Sequence, residues 1–404
     1  MSELLTLHRD VLRKLYIEPT SFCNLQCRMC FRNGWIGESF GHLSLECVQA
    51  LMEDRQVQDT VETVFFGGMG EPLFHPDIME MIACAKSAGK RVELITNGSL
   101  LRDGTCEKLV ELGLDKLWVS VDSFDPAHYE TIQVGSRFGT VVRNLQRYNA
   151  ARRGTASKLG ITFVIMRSNL SQLRKFEEFI DFIEADDVNL SQMIPNTPDD
   201  EKETLVYLTL TAELLDLDKA YLDEITKEIE DVRPVFYRSG EAAAEAAVEK
   251  KNAALFRMRA CDLRAFPEAW EILDENLNLR WRGKLLLRKP DTCRFVEEGH
   301  CFVRWDGDVS PCMGVLHSAK TYLHGQERTV WHHAFGNIHK AALSEIWNSP
   351  DYRQFRTRVE KFEFSPCTGC GGCDFRNDNT MDCLGNEKPT CGACLWGQGL
   401  ARCP

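Results

Sequence analysis

Three thiols stand close together near the start of the chain. Cys23, Cys27 and Cys30 have the spacing Cys-x3-Cys-x2-Cys. Thiolates are the usual ligands of iron–sulfur clusters. Three on one short loop can hold three corners of a four-iron cluster. The fourth iron is then open to an outside ligand. Zinc is the competing reading, because Cys27-x2-Cys30 is a zinc-like pair. Zinc wants a fourth ligand, however, and the place of the triplet directly after a strand favours iron and sulfur.

A second group of ten lies between Cys293 and Cys403: Cys293, Cys301, Cys312, Cys367, Cys370, Cys373, Cys383, Cys391, Cys394 and Cys403. Its first part fits Cys293-x13-Gly307-x4-Cys312. Cys367-x2-Cys370 and Cys391-x2-Cys394 keep zinc open for this segment alone. Cys47, Cys84, Cys106 and Cys261 stand apart and read as small buried hydrophobes. Residues 1–10 lack the apolar core of a signal peptide, so a reducing compartment is expected, and there seventeen cysteines point to metal rather than disulfides. Between the two groups lie Gly68-Met69-Gly70-Glu71-Pro72, Thr96-Asn97-Gly98, Ser120 and Asp122.

These residues need elements to position them. Short β-rich runs at 15–18, 63–66, 91–96, 117–121, 161–166 and 188–192 alternate with amphipathic stretches at 44–56, 76–88, 101–112, 140–151 and 171–184. Ser44 and Ser171 suit helix N-caps. Such alternation implies right-handed βαβ units with a parallel sheet, whose ligands collect at the C-terminal ends of the strands. Cys23 follows the first run, Gly67–Glu71 the second, Asn97 the third, and Ser120 and Asp122 the fourth. Past residue 195 the alternation stops, and 212–230 and 241–259 read as charged helices. Residues 288–404 are Cys- and Gly-rich with short elements, so this segment has little core of its own and leans on metal to fold. Trp305–Val309 reads as a hairpin with an Asp-Gly turn. The fold class expected is α/β: a partial (β/α)6 TIM-like barrel (1–195), a helical insert (196–287) and a small Cys-rich α+β domain (288–404).

The chain has 404 residues, a net charge of −12 and 44% hydrophobic residues. A strongly acidic surface repels phosphate backbones and anionic lipid, which argues against nucleic acid or membrane as partner. No run approaches the ~18 apolar residues of a membrane helix, and a cytoplasmic protein is expected.

The Cys23–Cys30 loop after a strand resembles the signature of the radical S-adenosylmethionine (SAM) superfamily over roughly the first 195 residues. The resemblance implies a [4Fe–4S] cluster on Cys23, Cys27 and Cys30, with SAM chelating the open iron. It implies Met29 near the adenine, the turn at Gly68, Gly70 and Glu71 receiving the SAM ammonium, Asn97 in the site, and Ser120 and Asp122 at the ribose or carboxylate. Met69 stands where the family often has glycine. Asp122 could instead be merely a turn residue, and Val164, Ile165 and Met166 could equally pack adenine or be ordinary strand core.

The second cysteine group is similar to the SPASM extension of that superfamily, which implies two auxiliary [4Fe–4S] clusters. Cys293, Cys301 and Cys312 would share the nearer one, and Cys367, Cys370 and Cys403 would belong to the farther. The tail spacings depart from the usual pattern, so Cys373, Cys383, Cys391 and Cys394 are ligands without an assigned cluster. Tyr16–Thr20, Cys30–Trp35, the stretch from Cys391 to Gly399, and Cys403-Pro404 further resemble maturases associated with tungsten-pterin aldehyde oxidoreductases.

The implied activity is reductive cleavage of SAM to a 5′-deoxyadenosyl radical that abstracts hydrogen. The substrate would be a protein, a peptide or a pterin cofactor, and the electron donor a ferredoxin or flavodoxin. Thioether or carbon–carbon crosslinking of a peptide is one alternative, and a non-catalytic iron–sulfur or zinc-binding module another. No catalytic residue is assigned. Glu18, Arg32 and Arg167 could line the barrel mouth, and His300, His317, His332, His333 and His339 are not read as metal ligands.

Overall fold

The structure, a computed structural model, describes residues 11–102, 104–204, 280–281, 284–285, 291–323, 325–369, 373–398 and 401. The expected helices at 212–230 and 241–259, and Cys261, Cys370 and Cys403, lie outside the described residues.

The six expected strands form, each within a few residues of its anticipated bounds: β1 (Lys14–Ile17), β2 (Thr63–Phe66), β3 (Arg91–Thr96), β4 (Lys116–Ser120), β5 (Lys158–Ile165) and β6 (Asp187–Gln192). They pair in parallel and in sequential order. Alternation along each strand sorts the side chains onto two faces. Leu15, Ile17, Val64, Phe66, Val92, Leu94, Leu117 and Val119 enter the main core with α1 (Leu45–Glu53), α3 (Ile78–Ser87), α4 (Thr105–Glu111) and α6 (Phe138–Arg152). The opposite face carries a polar belt. Lys14 Nζ lies 2.8 Å from Glu93 Oε2, Trp118 Nε1 donates to the same oxygen at 3.2 Å, and Lys116 Nζ lies 2.6 Å from Asp187 Oδ2.

Three local departures have physical causes. The expected helix 44–56 is broken by Asp54, whose extended backbone ends α1 and whose carboxylate caps α2 (Arg55–Thr60) by accepting the Gln56 N–H at 2.8 Å. Ser44 caps α1 as expected. α5 (Pro126–Ile132), capped by Asp125, was not anticipated because seven residues are too few to show a period. Ser171 does not open a helix: Arg167–Lys175 is a 3-10 stretch, and α7 (Phe176–Phe182) starts after it.

The larger departure concerns the Cys-rich segment. Its first strand, β7 (His300–Val303), pairs in parallel with β1, Lys14 opposite His300 and Ile17 opposite Val303. β8 (Asp308–Ser310) returns antiparallel to β7 through the expected Asp-Gly turn, with Gly307 at φ 88°. A hairpin of β9 (Ala319–Leu323) and β10 (Gln326–Val330) follows, and β11 (Gly336–Asn337) pairs with β8. The result is one nine-stranded sheet in the order β11-β8-β7-β1-β2-β3-β4-β5-β6. Short α8 (Arg294–Glu297) precedes β7, and α9 (Leu343–Trp347) and α10 (Pro350–Lys361) come after β11. Val296, Val303, Val309, Ile346, Trp347, Tyr352, Phe355 and Val359 join the same core as the barrel helices. The expectation of a segment with little core is thus corrected up to about Phe364: it has one, shared with the barrel. Among the described residues no helix is long and apolar enough to cross a membrane.

Candidate cofactor site and cysteine clusters

The chain leaves β1 through Glu18 and Pro19 into the Cys23–Cys30 loop. Thr20 starts it, its hydroxyl accepting the Phe22 N–H at 3.1 Å and donating to Gly41 O at 3.1 Å. The loop then leans on the end of α5. Gln26 N donates to Val134 O at 3.0 Å, and Arg28 N to Ile132 O at 2.9 Å. The Asn33 amide closes it by donating to Cys27 O and Arg28 O at 3.1 and 2.7 Å. Backbone pins of this kind fix the thiols without using them.

The three thiols are half-buried. Burial pushes the Cys27 thiol well above its ordinary range, and the neighbouring Cys30, Asp122 and Cys23 push it further. Burial raises Cys23 and Cys30 too, opposed at Cys30 by a backbone N–H and by the Arg32 charge. Thiolates crowded in a poorly hydrated loop are unstable on their own, and a bound cation reverses that balance. The donor set therefore fits a cluster.

The glycine-rich turn follows β2. At Gly70 an added Cβ would lie 2.1 Å from Thr20 O and 2.7 Å from Phe22 O, so this turn and the cluster loop touch backbone to backbone. Glu71 N donates to Phe22 O at 2.8 Å. Its carboxylate was expected to meet the SAM ammonium. Instead it is 2% exposed and held by three donors: Thr96 Oγ1 at 2.7 Å and Leu73 N at 3.0 Å on Oε1, and Asn97 N at 2.7 Å on Oε2. Burial pushes its pKa up to about 7 against those hydrogen bonds. Glu71 is thus a clamp between the turn and the end of β3. Asn97 ties β3 to the cluster loop, its amide donating to Asn24 Oδ1 at 3.0 Å and lying 4.0 Å from Cys23 Sγ.

Asp122 is also internal. Its oxygens accept Val164 N at 2.7 Å, Gln133 Nε2 at 2.7 Å and Ser120 Oγ at 3.1 Å, and burial pushes it up to about 6. It joins β4, β5 and the end of α5 rather than presenting a carboxylate to a ligand. Ser120 stays half-buried, its hydroxyl turned to Asp122. Met29 packs with Ile132, Val164, Met166 and Met193 in one small apolar cluster. Ile165 points the other way, into the main core. The Arg32 guanidinium lies over the rings of Trp35 and Phe40, at 5.6 and 5.4 Å.

At the other end of the chain, Cys293, Cys312, Cys391 and Cys394 are brought together. Burial, then the charge of Cys394, pushes Cys293 up to about 12; Cys312 feels Cys293 and Cys394, and Cys391 feels all three others. Cys301 does not join them. It is fully buried in the main core on β7, and the charges acting on it are Arg356 and Asp54. The expected grouping of Cys301 with Cys293 and Cys312 is corrected by strand alternation, which turns Cys301 to the core and Phe302 to the opposite side. Cys367 is buried and its N–H donates to Gly392 O at 3.0 Å, beside the Cys391–Cys394 turn. Cys383 is exposed, with Ser365 Oγ at 2.9 Å, and Cys373 precedes a 3-10 turn. Among the described residues, no three His, Cys, Asp or Glu side chains converge as ligands of a single ion. Asn24, Gln133, Asn169 and Gln172, which hold the loops in place, carried no sequence signal, since isolated amides follow no motif.

The chain is similar to known proteins. The description of the Radical SAM superfamily matches residues 17–182, and that of SPASM, an iron–sulfur cluster-binding domain, matches residues 293–374. The chain is 27% identical over 400 residues to the tungsten-containing aldehyde ferredoxin oxidoreductase cofactor-modifying protein of Pyrococcus furiosus, covering 97% of each chain. It is 23% identical to the AdoMet-dependent heme synthase of Nitratidesulfovibrio vulgaris, over 93% of this chain and 90% of that one. Among solved structures, Streptococcus suis SuiB bound to its precursor peptide SuiA superposes with a TM-score of 0.55 at 18% identity, over 91% of this chain and 72% of that one. SuiB bound to SAM superposes with a TM-score of 0.54. At such identities the likeness is one of fold.

Proposed function

We take as premise that the chain belongs to the radical SAM superfamily and carries a SPASM iron–sulfur domain, and propose that it modifies the cofactor of a tungsten-containing oxidoreductase. The observation that carries the proposal is the end-to-end similarity to the Pyrococcus furiosus cofactor-modifying protein, which extends over barrel, insert and cysteine-rich segment alike. Modification of a peptide has only likeness of fold behind it, as to SuiB bound to SuiA.

When bound, a reduced [4Fe–4S] cluster supplies the electron that cleaves SAM to methionine and a 5′-deoxyadenosyl radical, which takes hydrogen from the substrate. Cys23, Cys27 and Cys30 would hold that cluster. The protein's own work is orientation and exclusion of water. Met29, Val164 and Met166 offer an apolar seat for the adenine. The turn at Gly68 and Gly70, clamped by Glu71, would receive the methionine end through its backbone. Asn97 and Ser120 stand at the ends of β3 and β4, where such folds bind their ligands. Cys293, Cys312, Cys391 and Cys394 fit one auxiliary cluster by their mutual proximity. Cys367, with Cys370 and Cys403, would contribute to a second. A low-potential ferredoxin or flavodoxin would supply the electron.

The test is anaerobic incubation of reconstituted protein with SAM and a strong reductant, assaying 5′-deoxyadenosine. Cys23→Ala, Cys27→Ala and Cys30→Ala run alongside. Product from wild type and none from the variants is expected, with each variant lacking about four irons per chain. Addition of the tungsten-pterin acceptor should then couple 5′-deoxyadenosine formation to a mass change in the cofactor. A mass change in a short peptide alone would replace this reading by the peptide one.

A further inference from the structure

Glu18, Glu38 and His317 come from three separate stretches and meet inside the protein. Their side chains are 1%, 8% and 2% exposed. His317 Nε2 lies 3.0 and 2.9 Å from the two Glu18 oxygens, and Nδ1 lies 2.8 Å from Glu38 Oε2. A carboxylate at each ring nitrogen favours the doubly protonated ring, in which both nitrogens donate. Burial by itself would lower the pKa of His317, but the hydrogen bonds and charges of Glu18 and Glu38 outweigh it and raise it. The Trp35 ring stacks on the imidazole at 4.3 Å and 24°. Beyond Glu38 the chain of contacts continues to Ser318 N at 2.7 Å and Arg304 Nη1 at 3.1 Å.

The other end of this chain reaches the glycine-rich turn. Glu18 Oε1 accepts the Met69 N–H at 2.8 Å. The contact exists because residue 68 is glycine: a Cβ there would meet Glu18 Cγ at 2.5 Å. Backbone contacts lock two of these three stretches, those of Glu38 and His317. Ile36 N donates to Ser318 O at 3.0 Å, and Trp35 forms a bridge with Ala319. A buried carboxylate without a partner cation is costly, and His317 is the cation facing Glu18. His317 belongs to the C-terminal segment, 299 residues along the chain from Glu18.

We propose that His317 is a positioning residue for SAM: it holds Glu18 beneath the Met69 N–H and so makes the SAM affinity of the barrel depend on the docked C-terminal region. The proposal rests on residues 68–71 being the turn that receives SAM. It assigns His317 no contact with SAM or substrate, since the ring is enclosed and both nitrogens are engaged.

The test uses full-length, anaerobically reconstituted protein. SAM binding is measured by equilibrium dialysis, with 5′-deoxyadenosine kinetics and iron content on the same samples. His317→Ala should raise the Kd and KM for SAM about tenfold, a coupling of ordinary size between linked sites, while iron per chain and kcat at saturating SAM hold within about twofold. His317→Gln, whose amide can still donate to Glu18, should recover part of the affinity. Glu18→Gln should recover more than Glu18→Ala, because its carbonyl still accepts the Met69 N–H. Unchanged SAM affinity in both His317→Ala and Glu18→Ala would overturn the proposal. Joint loss of iron, kcat and SAM binding without recovery in the Gln variants would overturn it as well, leaving His317 merely structural. Wild-type protein that fails to bind SAM would instead remove the reading of residues 68–71.

Discussion

Gly70 shows how a single residue constrains this site. Its Cα lies against the carbonyls of Thr20 and Phe22, so the glycine is required by contact with the cluster loop rather than by a special backbone angle. Gly70→Ala must separate two backbones that Glu71 N and Phe22 O hold together. A loss of roughly 1–3 kcal/mol is expected from such overpacking, read as a lower urea midpoint, together with weaker SAM binding. His317 and Glu38 make a pH prediction. His317 is raised above 6.5, so its contribution to stability is full below about 6.5 and is lost as pH rises through the raised value. Glu38 is lowered to about 2, burial being outweighed by His317, Ser318 and Arg304. Its contribution is full above 4.5 and lost as pH falls toward 2. The stability gap between wild type and His317→Ala should therefore be wider at pH 5.5 than at pH 9, measured by urea unfolding at both. An equal gap at the two pH values would mean that the ring packs but carries no charge. At this scale the clustered thiols and the glycines were legible in the sequence, because their chemistry or size has no substitute. The tasks of Glu71 and Asp122 were not. A carboxylate in a motif reads the same whether it faces a ligand or three internal donors.

Among the elements, β7 carries most of the consequence. Phe302 on β7 stacks on Tyr16 of β1 at 4.3 Å, and Phe295 meets Phe302 edge-on at 5.0 Å. Phe302→Ala should cost about 3–5 kcal/mol, as for other large-to-small changes in a packed interior. It should also loosen Cys293 and Cys312, which pack in the same cluster. Equilibrium unfolding gives the first quantity and iron content the second. The strands of the barrel were legible because β-branched and aromatic runs between helical periods have few other readings. α5 and the 3-10 stretch before α7 were not, since one or two turns of helix leave no measurable period. Asp54 was equally hidden. It both ends α1 and accepts the Ser344 N–H at 3.0 Å, a contact spanning 290 residues.

For the whole molecule, the pairing of β7 with β1 means that the barrel has no free edge at β1. A chain truncated before residue 291 would expose that edge and the apolar surface beneath α9 and α10. Unpaired edges of this kind template aggregation. The truncated chain is expected to elute as aggregate in size exclusion, where the full chain does not; a monodisperse truncation would show the barrel to be self-sufficient. The sequence by itself determined the chemistry and the order of parts: the Cys23–Cys27–Cys30 spacing, the glycine turn, six strands alternating with helices, and a thiol-rich end. Those features are local, so a few neighbouring residues suffice to specify them. Tertiary structure alone decided which distant pieces meet. It gathered Cys293 and Cys312 with Cys391 and Cys394, turned Cys301 into the core, and set His317 between Glu18 and Glu38. The turn of Cys301 follows from the register of β7 on β1, and a strand's choice of partner depends on packing across the whole sheet rather than on its own residues.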